Sequence, residues 1–123
     1  MNSELNGKIA LVTGGAGGIG SVISKSFAAQ GARVVIHYNS SKKNAELIAK
    51  EINGFAVYAD LTDSKQSKEL FDHIITREGK IDICIANAGK YPKDYAPLWE
   101  IDDNRWNDTL STNLSLAYNT SRY

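Results

Sequence analysis

Two residue pairs in this sequence have the types and spacing that suit proton transfer. Tyr118 and Arg122 lie four positions apart, and so do Tyr38 and Lys42. Residues at this spacing share one face of a helix. A cation beside a phenol favours the phenolate, and a phenol with a lowered pKa can act as a general acid or base. Whether either pair is reactive therefore depends on the elements that carry it.

The glycine-rich stretch TGGAGGIG, residues 13–20, indicates phosphate binding. It follows the apolar run KIALVT and opens a helical pattern, which is the context of a dinucleotide-binding turn. Gly14 permits a tight turn, while Gly18 and Gly20 let the backbone and helix come close to a pyrophosphate. The alternative is a glycine-rich turn that binds nothing, and the strand–turn–helix context disfavours it.

Strand and helix patterns alternate along the rest of the chain. Short loops between them require right-handed crossovers and a parallel sheet. We therefore predict an α/β fold, a doubly wound parallel sheet of the Rossmann-like type with about four strands and four to five helices. The predicted strands are 8–13, 33–38, 55–60 and 81–89, and the predicted helices are 18–31, 41–54, 63–79 and a last one from about Asp102.

Hydrophobic periodicity predicts which helix residues face the core. Strand 81–89 is apolar enough to be covered on both faces, which predicts a buried and inert thiol at Cys84. Asp63 or Ser64 is the expected cap of the third helix and Gly79 its end. The predicted inward positions are Ile19, Val22, Ile23, Ser26, Phe27, Ala45, Leu47, Ile48, Ile52, Leu70, Phe71, Ile74 and Ile75, with Trp106, Leu110, Asn113, Leu114 and Ala117 on one stripe of the last helix.

Composition excludes several classes of function. The 123 residues carry 14 basic and 14 acidic side chains, which argues against a nucleic-acid or membrane-surface partner held by charge. One cysteine excludes a disulfide framework, and neither histidine has the neighbours of a metal site. The first residues lack the apolar stretch of a secretory signal, so a cytoplasmic protein is expected.

Four motifs together resemble the short-chain dehydrogenase/reductase family, classical type. They are the T-G-x-x-x-G-x-G form of the glycine loop, LNGKIALVTG at 5–14, ANAG at 86–89 and RWNDTLSTNL at 105–114. The similarity is greatest to 3-oxoacyl-carrier-protein-reductase-like and sugar- or alcohol-active members. It implies an NAD(P)-dependent oxidoreductase that passes hydride between NADP(H) and a carbonyl or secondary alcohol.

The same resemblance implies which residues bind the cofactor. The Asp60 carboxylate would meet the adenine amino group beside the Leu61 backbone, and residues 87–89 would pass under the nucleoside. Asn87 can also be a structural tie between strands. The implied cofactor-binding residues are Gly14, Gly18, Ile19, Gly20, Tyr38, Asn39, Ser40, Ser41, Asp60, Leu61, Asn87, Ala88 and Gly89.

The end of the second strand predicts which dinucleotide is preferred. NAD sites place an acid there to bind the ribose hydroxyls, and this chain has Tyr38 instead. The hydroxyls of Ser40 and Ser41 and the charges of Lys42 and Lys43 suit a 2′-phosphate. Gly17 departs from this pattern, because many NADP-binding relatives place a basic residue before the second glycine. NADP(H) is the expected cofactor, with NAD(H) possible.

Of the family's catalytic Asn, Ser, Tyr and Lys, only the asparagine has a counterpart, Asn113. The Tyr38 pair falls at the adenosine end of the cofactor, and the Tyr118 pair lies on the same helix as Asn113, whereas the family places its Tyr-x-x-x-Lys on another helix. Arginine is also a poor substitute for the lysine. Neither pair is therefore expected to be catalytic.

We expect residues 1–123 to be a single, truncated NAD(P)-binding domain that is inactive alone. An unpaired apolar strand edge would make it marginally stable and prone to self-association. The intact protein is expected to be a homodimer or tetramer acting on a small carbonyl or alcohol substrate. The alternatives are a non-catalytic NAD(P)-binding module, a gene fragment, or a flavodoxin-like domain, which the pairing of TGGAGGIG with ANAG disfavours.

Overall fold

The computed structural model describes residues 4–89 and 97–122. Strands and helices alternate through this part of the chain, which confirms the predicted α/β fold. A short 3-10 turn at Leu98–Glu100 precedes the last helix. The strands are β1 (Ile9–Val12), β2 (Arg33–Tyr38), β3 (Phe55–Tyr58) and β4 (Ile83–Ile85), and the helices are α1 (Gly18–Ala29), α2 (Lys42–Glu51), α3 (Ser64–Glu78) and α4 (Asp103–Arg122).

The four strands form one parallel sheet in the order β3-β2-β1-β4. Val12 of β1 lies opposite Ile36 of β2 and Ile85 of β4, and Tyr38 lies opposite Tyr58. The strand order reverses direction between β1 and β4. In open parallel sheets, ligands bind outside the carboxyl ends of the strands at such a switch point, so this edge is where a site is expected.

Two hydrophobic clusters cover the two faces of the sheet. Alternate residues of β1 and β2 point to opposite faces, so both strands are buried on both sides. On one face the strands pack against α1 and α2, and on the other against α3. The first cluster contains Ala10, Val12, Ala32, Val34, Ile36, Ala45 and Ala49; the second contains Ile9, Leu11, Val35, Phe55, Ala59, Leu61, Leu70, Phe71 and Ile74.

Local chemistry sets the ends of α3 as predicted. The Asp63 side chain accepts hydrogen bonds from the N–H groups of Lys65 and Gln66, which satisfies donors that have no partner within the helix. Gly79 closes the helix with a φ of 87°, a conformation that glycine adopts without steric cost.

The predicted inward faces of α1 and α2 are partly wrong. Ile19 and Val22 are 72% and 67% exposed, and Leu47 is also exposed. The residues that α1 buries are Gly20 and Ser24. Small side chains let a helix approach the sheet closely, so the large apolar residues flank the contact rather than fill it. Ile75 of α3 is exposed as well, whereas the inward placement of the other large α3 residues, Leu70, Phe71 and Ile74, is confirmed.

The prediction that the fourth strand is covered on both faces, with Cys84 buried, is also wrong. β4 is three residues long, and the Cys84 side chain is exposed. Its strand pairs with β1 on one side and with no other strand in the described part of the chain. A cavity of about 360 Å³ lies beside it, lined by residues of α3, β4, α4 and the loop before β4, among them Phe71, Ile81 and Thr120. Cys84 lines this cavity instead of filling a core.

Helix α4 begins near Asp102, as predicted. The Asp102 side chain accepts a hydrogen bond from the Arg105 N–H at 2.7 Å. The predicted stripe is not buried, since Leu114 is 65% exposed and Trp106 is also exposed. The helix is instead held by Asn119, which is buried and donates from Nδ2 to the Leu61 carbonyl oxygen at 2.7 Å. Among the described residues, no helix is both long and apolar enough to cross a bilayer.

Candidate functional site

The loop that joins β1 to α1 makes a tight turn at the carboxyl edge of the sheet. Gly14 has a φ of 63°, a conformation that residues other than glycine rarely adopt. The Gly17 N–H donates to the Gly14 carbonyl oxygen at 3.1 Å, and the Gly15 N–H donates to the His37 carbonyl oxygen at 3.2 Å. These bonds fold the loop back over the end of β2.

The glycines of this loop have different roles. A Cβ on Gly20 would lie 2.0 Å from the Gly14 carbonyl oxygen and 2.8 Å from Nδ2 of Asn87, so this position is packed tight. A Cβ on Gly18 would meet nothing within 4 Å. Gly15, which the predicted site does not include, is also packed tight, because its Cβ would lie 2.9 Å from the Val12 carbonyl oxygen. The loop is therefore open to solvent or a ligand on the side of Gly18, which we call its open face.

The first turn of α1 presents backbone donors at this open face. The first hydrogen bond of the helix runs from the Ser21 N–H to the Gly17 carbonyl oxygen at 2.8 Å. The N–H groups of Gly18, Ile19 and Gly20 have no acceptor within residues 4–89 and 97–122. They lie at the positive end of the helix dipole, and no acidic side chain occupies the first turn. The arrangement fits a pyrophosphate group.

Thr13 ties the glycine loop to the segment that follows β4. Its Oγ1 accepts hydrogen bonds from the N–H groups of Asn87 and Ala88, at 3.0 and 2.9 Å. Nδ2 of Asn87 donates to the carbonyl oxygens of Thr13 and Gly14, at 3.1 and 3.2 Å. The structural tie predicted for Asn87 is confirmed, and residues 87–89 lie beside the loop at the switch point. The predicted site residues do not include Thr13, although a hydroxyl before the first glycine is visible in the sequence.

The end of β3 brings Asp60 and Leu61 to the same edge. Oδ1 of Asp60 accepts from the backbone N–H and the hydroxyl of Thr62, at 3.0 and 2.6 Å. This local turn holds the carboxylate at the rim, while Asp63 caps α3. The side chain of Leu61 is buried, and its carbonyl oxygen accepts from Ser67 and Asn119. The predicted adenine-binding pair is thus fixed by both α3 and α4.

The end of β2 carries the residues predicted to select the dinucleotide. The Tyr38 ring lies 6.0 Å from the Tyr58 ring, centroid to centroid. Residues 39–43 are all exposed, and no ion pair joins Lys42 or Lys43 to an acid in the described ranges. Two lysines at the start of α2 oppose its dipole, so an anion here would relieve that repulsion.

His37 lies under the glycine loop, although no sequence motif assigns it a role. Its side chain is 2% exposed. Nδ1 accepts a hydrogen bond from the Gly14 N–H at 3.0 Å, and Nε2 lies 2.8 Å from the Ala59 carbonyl oxygen. Burial lowers the pKa of His37 below its usual value. Among the described residues no group of side chains could hold a metal ion.

Asn113, the predicted catalytic residue, lies next to the segment after β4. Its Nδ2 donates to the Thr109 carbonyl oxygen at 2.9 Å. A Cβ on Gly89 would lie 2.9 Å from Oδ1 of Asn113, so glycine at position 89 allows this approach. Tyr118 is exposed further along the same helix, and the side chain of Arg122 lies outside the described residues. The structure thus brings Asn113 to the ANAG segment, whereas Tyr38 lies at the end of β2.

Comparison with known proteins agrees with this geometry. The family model described as short chain dehydrogenase matches residues 8–123. The chain belongs to the short-chain dehydrogenase/reductase family. The family resemblance inferred from the four sequence motifs is therefore confirmed, and so is the Rossmann-like fold.

Curated relatives include proteins that are named as reductases. A short chain dehydrogenase/reductase of Colletotrichum higginsianum is 37% identical over 99% of this chain and 47% of its own length. The 3-oxoacyl-acyl-carrier-protein reductase FabG of Staphylococcus aureus is 32% identical over 91% of this chain and 47% of its own length. The chain spans about half the length of the curated relatives it matches.

Solved short-chain dehydrogenase structures share the fold. A short chain dehydrogenase from Burkholderia cenocepacia in complex with NADP has a TM-score of 0.83 and 31% identity, with 98% of this chain and 52% of that chain covered. A blue fluorescent protein from a metagenomic library in complex with NADPH also has a TM-score of 0.83, with 30% identity and 99% and 51% coverage.

Proposed function

We propose that this chain is the cofactor-binding half of an NADP(H)-dependent oxidoreductase acting on a carbonyl or secondary alcohol. The proposal rests on the start of α1, where the N–H groups of Gly18, Ile19 and Gly20 have no acceptor in the described chain and the space beside Gly18 is open. These donors and the helix dipole would bind the pyrophosphate. When bound, the nicotinamide would accept or donate the hydride.

The other residues at this edge would hold the rest of the dinucleotide. The Asp60 carboxylate, already oriented by Thr62, has its Oδ2 without a hydrogen-bond partner in the described chain and would accept from the adenine amino group. The backbone of Asn87, Ala88 and Gly89 would lie under the nucleoside, because Thr13 fixes that segment beside the glycine loop. The hydrogen bonds that shape the proposed site are thus already formed before the ligand binds, which lowers the entropy cost of ordering the site on binding.

Preference for NADP(H) over NAD(H) follows from charge at the end of β2. No carboxylate stands at Tyr38 to repel a 2′-phosphate, and Asn39, Ser40 and Ser41 offer exposed hydrogen-bonding groups. Lys42 and Lys43 supply positive charge. The NADP and NADPH complexes of the two similar structures support this preference.

The catalytic step would require groups beyond those found here. Asn113 is the single residue of the chain that matches the family's catalytic set, and its placement beside Gly89 supports a role in positioning a proton relay. We propose that the serine and the Tyr-x-x-x-Lys pair are supplied from outside these 123 residues, so that the chain alone turns over no substrate. The coverage of about half of each relative supports this.

The setting of the whole protein is also proposed. The exposed apolar residues of α4, Trp106, Leu110 and Leu114, support association into a homodimer or tetramer. A cytoplasmic location and a small-molecule substrate agree with the balanced charge. Neither a nucleic acid nor a membrane is proposed as a partner.

Calorimetric titration of the 123-residue chain with NADP+, NAD+ and FMN tests the proposal. We expect saturable binding of NADP+, weaker binding of NAD+ and none of FMN. The double substitution Lys42→Ala with Lys43→Ala should weaken NADP+ binding by roughly tenfold, about 1.4 kcal/mol, and leave NAD+ unchanged. Lys50→Ala, in the last turn of the same helix, is the matched control and should change neither. Tighter binding of NAD+ than of NADP+ would refute the preference, and binding of FMN alone would refute the function.

A further inference from the structure

His37 joins the two ends of the proposed site although its side chain faces no ligand. The Gly14 N–H donates to Nδ1 at 3.0 Å, and Gly14 begins the phosphate loop. Nε2 lies 2.8 Å from the carbonyl oxygen of Ala59, the residue before Asp60. The His37 carbonyl oxygen also accepts from the Gly15 N–H at 3.2 Å. One residue therefore contacts both the loop proposed to bind pyrophosphate and the strand end proposed to bind adenine.

The two ring contacts determine the protonation state of the imidazole. A neutral imidazole has one donor nitrogen and one acceptor nitrogen. The Gly14 N–H can only donate, so Nδ1 must be the acceptor and Nε2 must carry the hydrogen, which it donates to the Ala59 oxygen. The ring is 2% exposed, so water cannot replace either partner without opening the site.

We infer that His37 is a positioning residue whose neutral imidazole holds the Gly14 turn in its phosphate-binding form, so that protonation of His37 weakens dinucleotide binding. This inference rests on the proposed function. In the protonated ring both nitrogens are donors. The Nδ1–H would then face the Gly14 N–H, and the bond that holds the turn would be replaced by repulsion between two donors.

The surroundings set where this change occurs on the pH scale. Burial is the largest influence on the pKa of His37 and lowers it, while the hydrogen bond to Ala59 and the Asp60 charge act in the opposite direction. Asp60 is the one charged group whose field acts on the ring within the described chain. Residues 13–24, which form the loop and the first turns of α1, contain no titratable side chain. Neutral His37 is thus the form present near pH 7, and the effect appears on acidification.

The test compares the pH dependence of binding in three variants. NAD+ and ADP-ribose are the probes, because the 2′-phosphate of NADP+ itself titrates near pH 6. His37→Gln can accept from Gly14 and donate to Ala59 without titrating, whereas His37→Leu can do neither. His73→Gln removes the chain's other histidine, which is exposed on α3, and is the matched control. Near-ultraviolet circular dichroism at each pH verifies that the protein remains folded.

The expected pattern separates positioning from a merely structural role. Affinity of the wild-type chain should be constant near pH 8 and fall on acidification once His37 becomes protonated, which burial moves below the usual range of histidine; the loss should approach roughly tenfold per pH unit there, and His73→Gln should behave the same way. His37→Gln should keep the affinity of the wild type at pH 8 within about threefold and lose the pH dependence, while His37→Leu should bind weakly throughout. A pH profile that persists in His37→Gln, or one that disappears in His73→Gln, would overturn the inference.

A measurement without ligand distinguishes failure of this inference from failure of the proposed function. The imidazole ¹⁵N shifts should show hydrogen on Nε2 and none on Nδ1, and the Gly14 amide should titrate together with His37. Hydrogen on Nδ1 would overturn the positioning role alone. If the ring has the expected tautomer but the wild-type chain binds neither probe nor NADP+ at pH 8, the proposed function fails and the inference fails with it.

Discussion

The substitutions Gly18→Ala and Gly20→Ala distinguish the contribution of the phosphate loop to stability from its contribution to NADP+ binding. The two positions lie in one helical turn, but their surroundings differ. A Cβ at position 20 would lie 2.0 Å from the Gly14 carbonyl oxygen, whereas a Cβ at position 18 would meet nothing within 4 Å. We therefore predict that Gly20→Ala destabilises the fold and that Gly18→Ala leaves it intact but impairs binding.

The magnitudes follow from these contacts. Overpacking at a backbone contact costs about 1 to 3 kcal/mol, and loss of the hydrogen bond between Asn87 and Gly14 adds about 1 kcal/mol. The higher helix propensity of alanine returns up to about 1 kcal/mol. Gly20→Ala should thus lose about 1 to 4 kcal/mol, which lowers Tm by roughly 4 to 15 °C for a chain of this size. Gly18→Ala should be neutral or more stable by up to about 1 kcal/mol.

Thermal unfolding measures the change in stability. NADP+ titration, at a temperature where each variant is folded, measures the change in affinity. Gly54→Ala is the control for Gly20→Ala, because its Cβ would lie 2.1 Å from a backbone oxygen, that of Val34, at the opposite edge of the sheet. It should lower Tm by a similar amount and leave the affinity of the folded protein unchanged. Gly18→Ala should weaken NADP+ by roughly tenfold or more. Unchanged affinity in Gly18→Ala would refute the assignment of this face to the pyrophosphate.

Three further substitutions or measurements test individual groups. The Asp82 carboxylate accepts a hydrogen bond from the Ile9 N–H at 2.8 Å, which lowers the pKa of Asp82 in the folded protein. The stabilisation by this carboxylate is therefore present above about pH 4, the value of an unfolded aspartate, and is lost as the pH falls through the lower pKa of the folded state. In urea unfolding, the difference in unfolding free energy between wild type and Asp82→Asn should shrink over that pH range. Thr13→Val removes the acceptor of the Ala88 N–H, whereas the Asn87 N–H keeps its second acceptor, the Ile85 carbonyl oxygen at 2.9 Å. The substitution should lower the unfolding free energy by about 1 to 3 kcal/mol, and a loss under about 0.5 kcal/mol would contradict the tie. Cys84 is exposed as a residue, but the cavity wall around it partly desolvates the thiol and raises its pKa. Alkylation should therefore be slow near pH 7 and accelerate above about pH 9, whereas fast labelling near neutrality would contradict a raised pKa.

The sequence predicts the order of elements, the caps of α3 and the glycine turn, because these depend on local chemistry. Hydrophobic periods, the Asp63 cap and the αL position at Gly79 act within a few residues. The predictions of the inward faces of α1 and α2 are wrong because small residues make the contact with the sheet. Hydrophobic periodicity gives more weight to large apolar residues such as Ile19 and Leu47, which are exposed.

The bonds that complete the site could not be predicted, because they join distant residues. Thr13 meets Asn87, which lies 74 residues later. His37 meets Gly14, 23 residues away, and Asn119 meets Leu61 across 58 residues. No periodic pattern reports such pairs, and each becomes visible only once the sheet order brings the strand ends together. The exposure of Cys84 likewise depends on how α3 and α4 cover β4.

Amide chemical-shift mapping of the 123-residue chain with NADP+ tests whether the dinucleotide binds at the carboxyl edge of the sheet. We expect saturable shifts at Gly18, Ile19 and Gly20, at Asp60 and Leu61, and at Ala88 and Gly89, because these backbone groups line the proposed site. Residues of the separate cavity beside β4, such as Phe71 and Ile81, should remain unshifted. Shifts confined to that cavity, or none at all at saturating NADP+, would refute binding of the dinucleotide at this edge of the sheet.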